Sequence, residues 1–260
     1  MSIGRLLVVD VGNTHTVVGV FEGDRLAHDF RIETSRDRTT DEFHVLLASL
    51  LDIAGIERRA VRSSIVASVV PAVTSRVVDA IDRAFDHEAL VVAPGIKTGM
   101  RLLYENPREV GADRIVNAVA AYERTGSSVI VVDFGTATTF DCISAKGEYL
   151  GGAIAPGMAI SASALFARAA KLPFAEIARP PAAIGRNTVH SMQSGIVFGY
   201  VGLVDGLVRR LQKEMGEAGA VIGTGGLASL IEPESETIQE VDDFLTLDGL
   251  RLLWERNRNL

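Results

Sequence analysis

One pattern occurs twice in this chain, 123 positions apart. Residues 7–22 read LVVDVGNTHTVVGVFE, and residues 130–145 read IVVDFGTATTFDCISA. Written without gaps, the copies align Asp10 with Asp133, Gly12 with Gly135 and Thr16 with Thr139. Each copy predicts an apolar strand that ends at an aspartate, a turn of small residues and a second strand. Such a repeat predicts two related halves whose hairpins face each other across a cleft.

The rest of the chain alternates predicted strands with predicted helices, which indicates a mixed α/β fold with helices over a central sheet. In the first half the pattern predicts a hairpin over 5–22, a turn at Glu22-Gly23-Asp24, a third strand, a helix over 39–52, a strand over 64–69, a helix over 73–86 and a strand over 89–93. Thr39 and Glu42 fit a capping box at the start of the first helix. The segment 94–112 is rich in Gly and Pro and is predicted to be an irregular linker beside the cleft.

The second half repeats this order. It predicts a helix over 112–124, a hairpin from Ser128, helices over 157–171 and 191–215 with the turn Gly185-Arg186-Asn187-Thr188 before the latter, a strand over 219–222, the turn Gly223-Thr224-Gly225-Gly226 and one or two closing helices. That glycine turn allows a planar base to lie against backbone, or it is a plain turn after a strand.

Composition narrows the classes of function. The apolar share is 47% in 260 residues, which is enough for a sizeable core, and no apolar run approaches the ~20 residues of a membrane span. The single cysteine, Cys142, cannot form an internal disulfide, which favours a reducing, cytoplasmic location. The net charge is −7 without a basic block, so we expect neither a nucleic acid nor a membrane as partner.

The first hairpin carries groups suited to phosphate. Asp10 at a strand end can hold Mg²⁺ through water, and Gly12 lets the backbone come close to phosphate oxygens. An ordinary hairpin with an Asx-turn would give the same pattern. The second copy, from Asp133 to Thr139, favours a phosphate clamp over that alternative. His15, His44 and His190 are scattered and are interpreted as surface or turn residues, since no His or Cys spacing suits zinc.

A third group of residues, Gly111-Ala112-Asp113-Arg114, opens the predicted helix 112–124. Asp113 there is either a helix cap or a carboxylate that accepts a proton from an alcohol during phosphoryl transfer. Its place beside the predicted linker favours a substrate pocket.

Taken together, seven motifs resemble the type III pantothenate kinase family of the acetate/sugar kinase–Hsp70–actin superfamily. They are DVGNT at 10–14, SVVP at 68–71, YENPREVGADR at 104–114, DFGTATTFD at 133–141, GGAIAPG at 151–157, GRNT at 185–188 and TGG at 224–226. The resemblance implies an α/β fold of two duplicated ribonuclease-H-like βββαβαβα halves of the actin/Hsp70/sugar-kinase type. These would be an N-terminal half over 1–111 and a C-terminal half over 112–260.

The resemblance also implies an activity: phosphorylation of pantothenate by ATP, with Mg²⁺ and a monovalent cation (K⁺ or NH₄⁺), in a cytoplasmic homodimer whose interface is in the second half. The residues implied to bind ATP are Asp10, Val11, Gly12, Asn13, Thr14, His15, Thr16, Val17 and Thr136. Those implied around pantothenate are Tyr104, Gly111, Ala112, Asp113, Arg114 and Thr188. Asp113 would be the catalytic base, and Asp133 would bind the monovalent cation.

Two other functions stay open at this point. One is a different small-molecule kinase, or a phosphatase, of the same superfamily. The other is a regulatory accessory protein, since some members of this family were first described as transcriptional accessory factors. The three aspartates Asp10, Asp113 and Asp133 and the acidic composition favour the enzyme.

Overall fold

The computed structural model describes residues 4–169 and 172–258. Its strands are β1 Arg5–Val11, β2 His15–Glu22, β3 Arg25–Glu33, β4 Val61–Ser68, β5 Leu90–Val91, β6 Arg101–Leu102, β7 Val129–Phe134, β8 Ala137–Ile143, β9 Glu148–Pro156, β10 Ala220–Thr224 and β11 Glu240–Val241. Its α-helices are α1 Thr40–Ile53, α2 Pro71–Phe85, α3 Ala112–Thr125, α4 Met158–Arg168, α5 Thr188–Met215, α6 Ala228–Ile231 and α7 Leu245–Asn257.

By packing, the chain forms two compact units. The first comprises Met1–Met100, Asn106–Ala120 and Thr246–Leu260, and the second comprises Arg101–Glu105 and Ala121–Leu245. The closing helix α7 therefore packs almost entirely with the first unit, although it ends the chain. The division of the duplication at 111/112 stays a prediction about sequence halves, which differ from these units.

The first unit is built on a five-stranded sheet of order β3-β2-β1-β4-β5. β1, β2 and β3 are antiparallel neighbours, while β4 runs parallel to both β1 and β5. Side chains of β1 alternate between the two faces, as the strand pleat requires. Leu7 and Val9 pack with α1 and α2, whereas Leu6 and Val8 pack with α3 and α7. Both faces of this sheet are thus covered by helices.

Local sequence signals place the helices of this unit. Thr39 and Glu42 form the predicted capping box, because the side chain of each accepts the backbone N–H of the other. Pro71 is the first residue of α2, where its missing N–H costs no hydrogen bond. The predicted start at residue 73 is therefore two residues late.

The second unit repeats the topology of the first. Its six strands have the order β11-β10-β7-β8-β9-β6, so β9-β8-β7-β10-β11 matches the 3-2-1-4-5 order of the first sheet, with β6 added at one edge. β7 pairs antiparallel with β8 and parallel with β10, as β1 does with β2 and β4. The predicted duplication of two ribonuclease-H-like halves is confirmed at the level of strand order.

The two hairpins differ in the length of their turns, which corrects the ungapped alignment. Val11 pairs with Thr16, whereas the corresponding Phe134 pairs with Thr138, because the first turn has one residue more. Thr16 therefore corresponds to Thr138, not to Thr139, and both are fully buried. A one-residue shift reverses which face of a strand a side chain occupies, so this difference matters for the site.

Other helix boundaries in the second unit shift from prediction. α5 begins at Thr188, three residues before the predicted 191, because the side chain of Asn187 caps it by accepting the N–H of His190. α4 ends at Arg168, and positions 170–171 of the predicted helix 157–171 lie outside the described residues.

The helix α5 covers one face of the second sheet. Val197, Val204 and Val208 pack there with Phe140 and Cys142 of β8. Among the described helices, α5 is the one with the length and hydropathy of a membrane span, but a core helix of a soluble protein passes the same test. Its length and composition are therefore weak evidence for a membrane.

Candidate active site

The turn of the first hairpin follows β1 directly and is held by backbone bonds. The N–H of Gly12 donates to the carbonyl of His15 at 3.0 Å, and the N–H of Thr34 donates to the carbonyl of Thr14 at 2.9 Å. Asn13, Thr14 and His15 are exposed, while Val11 is buried. The turn thus presents its tip to solvent on a fixed base, as a phosphate-binding loop requires.

Thr16 differs in its surroundings from the exposed residues of the turn. It is fully buried, and its Oγ1 lies 2.8 Å from Oγ1 of Thr34, the residue just past β3. The buried side chain of Thr16 therefore links the hairpin to the end of β3. Sequence reasoning misses Thr34, because only the pairing of β2 with β3 brings it beside the turn.

Asp10 lies at the carboxyl end of β1, one residue before the strand ends. The strand pleat puts it on the same face as Leu6 and Val8, which is the face that packs with Val116 and Val119 of α3. Its register partner in the parallel strand β4 is Ala67. In open α/β sheets, ligands bind outside the carboxyl ends of the strands, so Asp10 occupies a suitable place.

Asp113 reaches the same edge of this sheet from α3. The N–H of Val69, just past β4, donates to the carbonyl of Val11 at 3.1 Å. Cγ1 of Val69 lies 3.7 Å from where a Cβ on Gly111 would be, and Gly111 directly precedes α3. The N-terminus of α3 therefore lies at the carboxyl end of β4, on the sheet face that carries Asp10.

The Asp113 carboxylate is held by one oxygen. Its Oδ1 accepts the N–H of Arg114 at 2.8 Å, which satisfies one of the free N–H groups at the helix start. No residue that the structure describes donates a hydrogen bond to its Oδ2. Asp113 thus caps the helix through Oδ1, and no described side chain donates to its carboxylate.

Gly111 makes room for this carboxylate. A Cβ at position 111 would lie 2.5 Å from Oδ1 of Asp113, closer than real contacts allow. The carbonyl of Gly111 also accepts the N–H of Ile115 at 3.2 Å, the first hydrogen bond of α3. A glycine here is required by the position of the carboxylate.

The surroundings of Asp113 alter its protonation. Burial raises the pKa of the carboxyl above its ordinary value, and the N–H and charge of Arg114 offset part of that rise. Arg114 itself is 7% exposed, while Ala112 is half-buried. A carboxylate with a raised pKa is a better proton acceptor, which suits a general base.

In the second unit, Asp133 lies next to the end of β7, as Asp10 does in β1. Its register partners are Thr139 in β8 and Thr224 in β10. A Cβ on Gly225 would lie 2.5 Å from Oδ1 of Asp133, and Gly225 has a φ of +89°. Glycine at 225 therefore lets the chain after β10 pack directly against this carboxylate and the backbone of Phe134. Thr136, the tip of the second turn, is exposed.

Tyr104 and Thr188 also belong to the second unit. Tyr104 is half-buried, with its ring centroid 6.3 Å from that of Tyr149. Thr188 is the first residue of α5 and lines a cavity of about 470 Å³ between α4 and α5, together with Leu165, Met192 and Tyr200. Most of the lining of this cavity is apolar. Among the residues that contribute hydroxyl groups to it are Ser161 and Tyr200, whose hydroxyl oxygens lie 2.7 Å apart.

Within residues 4–169 and 172–258, no group of three or more His, Cys, Asp or Glu side chains is arranged to hold a metal ion. Asp10 offers a single carboxylate, and carboxylate oxygens are among the ligands that Mg²⁺ takes in proteins.

Proteins of known structure share this fold over nearly the whole chain. One, from Campylobacter jejuni and assigned to the Baf family of transcriptional activators, has a TM-score of 0.63 and 19% identity, covering 98% of this chain and 100% of that one. MreB 5 of Spiroplasma citri has a TM-score of 0.59 and 7% identity, covering 100% and 98%. A polyphosphate/ATP-glucomannokinase of Arthrobacter has a TM-score of 0.51 and 12% identity, covering 99% and 100%. The fold is that of the actin/Hsp70/sugar-kinase class.

Sequence relatives narrow the class. A family model described as type III pantothenate kinase matches residues 6–210. A type III pantothenate kinase of Pelobacter propionicus is 61% identical over 254 residues, covering 97% of this chain and 100% of the relative. One of Myxococcus xanthus is 58% identical over 252 residues, covering 97% and 98%. The chain belongs to the type III pantothenate kinase family.

Proposed function

We propose that this chain transfers the γ-phosphoryl group of ATP to the primary hydroxyl of pantothenate. The product would be 4'-phosphopantothenate, the first intermediate of coenzyme A biosynthesis. Membership of the type III pantothenate kinase family supports the reaction. The observation that carries the mechanism is the Asp113 carboxylate, held at Oδ1 and unengaged by described residues at Oδ2.

Asp113 is proposed as the base. Oδ2 would accept the proton of the pantothenate hydroxyl. At the same time the hydroxyl oxygen bonds to the γ-phosphorus of ATP, and the bond between the γ-phosphorus and the oxygen that leaves with ADP breaks. The proton stays on Asp113 until solvent removes it, and ADP leaves with the pair of electrons from the broken bond. Holding Oδ1 on the Arg114 N–H fixes the direction of the free oxygen, which is the kind of positioning on which phosphoryl transfer depends.

The residues from Asp10 to Val17 are proposed to hold the phosphates of ATP, with Thr136 of the second hairpin. Asn13, Thr14 and His15 are exposed and would contact phosphate oxygens under this proposal, whereas Val11 and Thr16 are buried and would only support the turn. Asp10 would hold Mg²⁺, which when bound neutralises charge on the β- and γ-phosphate oxygens.

Asp133 is proposed to hold the monovalent cation, K⁺ or NH₄⁺. Its place next to the carboxyl end of β7, the end of a strand at which α/β sheets bind ligands, supports this role. Around pantothenate we propose Tyr104, Gly111, Ala112, Arg114 and Thr188, in addition to Asp113. The apolar cavity beside Thr188 suits the methyl groups of pantothenate better than its charged end.

We also propose that the protein is a cytoplasmic homodimer formed through the second half. At four glycines of α5, Gly195, Gly199, Gly202 and Gly206, an added Cβ would meet nothing within 4 Å beyond the backbone of its own helix. Each costs a helix ~1 kcal/mol relative to Ala, a cost that close approach of a second helix would offset. Large apolar side chains of α4, such as Ile160 and Leu165, are exposed as well.

A coupled assay of ADP release tests the function. We expect ADP release in K⁺ buffer to depend on pantothenate, with phosphopantothenate as the second product. A panel of sugars and small alcohols with ATP separates this from another kinase of the superfamily, and phosphate monoesters without ATP test for hydrolysis by a phosphatase. ADP release that pantothenate does not stimulate, together with faster turnover of another acceptor, would refute the proposal.

A further inference from the structure

A buried carboxylate of the second unit takes no part in the proposed chemistry. Asp141 lies on β8 and is fully buried. Its neighbours Phe140 and Cys142 pack with α5, so the pleat puts Asp141 on the opposite face of the sheet. A carboxylate without solvent contact must be compensated by hydrogen bonds, because burying a charge is otherwise costly.

Hydroxyl groups of its own sheet supply part of that compensation. The hydroxyl of Tyr149 on β9 donates to Oδ1 of Asp141 at 2.7 Å, and Oγ1 of Thr139 donates to Oδ2 at 3.4 Å. Tyr149 is also fully buried. Leaving either buried group without its hydrogen bond would be costly, so this bond fixes the direction of the Tyr149 side chain.

Tyr149 in turn holds the segment that carries Tyr104. Leu102 is its register partner in β6, and the N–H of Leu103 donates to the carbonyl of Tyr149 at 2.8 Å. The rings of Tyr104 and Tyr149 are 6.3 Å apart at an angle of 53°, within the range of favourable aromatic pairs. Both the backbone before Tyr104 and its ring therefore rest on Tyr149.

The Tyr104 ring also lies against Gly151. A Cβ there would meet the Cδ2 and Cε2 atoms of Tyr104 at 3.4 Å. Gly151 has a φ of +110° and follows a bulge, since Cys142 pairs with Gly151 but Ile143 pairs with Tyr149. The bulge brings Tyr149 and Gly151 to the same aromatic ring.

We propose that Asp141 is a positioning residue for pantothenate binding: it orients Tyr149, which holds the ring of Tyr104 against the substrate. The inference rests on the proposed function in assigning Tyr104 to pantothenate. Asp141 is fully buried, so in this role it acts through Tyr149. Its effect is to restrict the Tyr104 ring to one orientation before pantothenate arrives, which lowers the entropy lost on binding.

Tyr149→Phe tests this link with the smallest change, since it keeps the ring and removes only the hydroxyl. We expect the KM for pantothenate to rise about threefold to tenfold, with the KM for ATP and kcat within about twofold of the original protein. Asp141→Asn keeps one acceptor for the Tyr149 hydroxyl and should have the same effect in weaker form than Asp141→Ala. If the Asp141 variants do not fold, Tyr149→Phe decides alone.

A spectroscopic measurement separates positioning from activity. The chain has four tyrosines, at 104, 122, 149 and 200, so labelling with 3-fluorotyrosine gives four ¹⁹F resonances, each assigned by a Tyr→Phe variant. We expect Tyr149→Phe to shift or broaden the resonance of Tyr104 and to leave that of Tyr200 in place. Tyr122→Phe is the matched control, because it removes a hydroxyl that donates to the carbonyl of Ala145 at 3.4 Å and that belongs to neither the Asp141–Tyr149 bond nor the Tyr104–Tyr149 ring pair.

The outcomes are distinguishable. An unchanged Tyr104 resonance in folded Tyr149→Phe and Asp141→Asn would overturn the positioning role. A shifted resonance with an unchanged KM for pantothenate would overturn the functional half of the inference, and with it the assignment of Tyr104. Failure of the original protein to phosphorylate pantothenate would refute the proposed function itself, while the resonance would still decide whether Asp141 positions Tyr104.

Discussion

Gly111 and Asp113 are fitted to each other at the start of α3: a Cβ on Gly111 would lie 2.5 Å from Oδ1 of Asp113. The overlapping atom is the end of a side chain, so a larger residue at 111 would displace the carboxylate and leave the backbone in place. Position 111 thus controls the orientation of the Asp113 carboxylate, the proposed base, without taking part in the reaction itself.

Gly111→Ala should therefore lower kcat about 100-fold, the order expected when a catalytic group is misplaced by about an ångström. The midpoint of urea unfolding should stay close to that of the original protein. Steady-state kinetics and urea titration measure the two effects.

A double variant shows whether Gly111→Ala lowers kcat by displacing the Asp113 carboxylate. If it does, Gly111→Ala combined with Asp113→Asn should be no slower than Asp113→Asn alone, since residues that act as a unit are not additive. Losses that simply multiply would mean that Gly111 acts on something other than Asp113.

Asp113→Asn should lower kcat about 10²–10⁴-fold, the usual contribution of a general base. Because the pKa of Asp113 is raised, the acid limb of kcat/KM in the original protein should lie above the ordinary value for aspartate. Activity of the variant within about tenfold of the original would remove Asp113 from the base role.

Asp113→Asn should lower activity but raise the stability of the fold relative to the original protein as pH rises. A raised pKa in the folded state favours folding while the carboxyl is protonated, and this contribution is lost as pH rises through the folded-state pKa. Asp113→Asn removes that loss, so we expect its stability relative to the original protein to increase between about pH 3 and pH 7. Urea unfolding at both pH values measures it, and a relative stability that falls over this range would contradict the assignment.

Asp205 on α5 should show the reverse pH dependence. Burial pushes its pKa up, but hydrogen bonds from the Ser235 and Thr237 hydroxyls at 2.6 and 2.7 Å and from the Glu236 N–H outweigh burial, so that the pKa is lowered. We expect Asp205→Ala to destabilise the fold by about 2 kcal/mol at pH 7. The difference should shrink as pH falls below the ordinary value for aspartate toward the lowered pKa.

Asp243→Ala is the matched control for that experiment, because Asp243 is exposed in the same unit. It should change the urea midpoint little at either pH. A loss in Asp205→Ala that is as large at about pH 2 as at pH 7 would show that packing, rather than the ionised carboxylate, is what the substitution removes.

Asp133→Ala should abolish the activation by K⁺. If Asp133 holds the cation, the ratio of rates in KCl and in NaCl of equal ionic strength should fall to about one, because the site loses its only charged ligand under the proposal. An undiminished K⁺ activation in a folded variant would refute the assignment of Asp133.

Gly202→Glu should disrupt the proposed dimer. Gly202 is exposed on α5, and a Cβ there would meet no neighbouring element, so a charged side chain fits a monomer but not a close contact of two helices. Light scattering after gel filtration should give twice the monomer mass for the original protein and the monomer mass for the variant. Ala72→Glu, which adds the same charge at an exposed position of α2, should remain dimeric.

Much of the architecture follows from the sequence because its signals are local. The repeated strand, aspartate and turn at Asp10 and Asp133 predicted the duplication, and the capping box at Thr39 predicted the start of α1 within one residue. The family motifs led to the correct family. Residue-level roles, such as those of Tyr104 and Thr188, remain predictions, since they depend on ligands that bind to the folded chain.

Tertiary structure alone decided the relationships between distant residues. The ungapped alignment pairs Thr16 with Thr139, and only strand register showed that Thr138 is its counterpart, because one extra residue in a turn has no local signature. Sequence placed Gly111 and Asp113 near each other but could not show that one leaves room for the other's carboxylate. The link from Asp141 through Tyr149 to Tyr104 spans strands that come together only when the sheet forms. Pleat and helix period are properties of neighbouring residues, whereas these contacts depend on how the whole sheet is ordered.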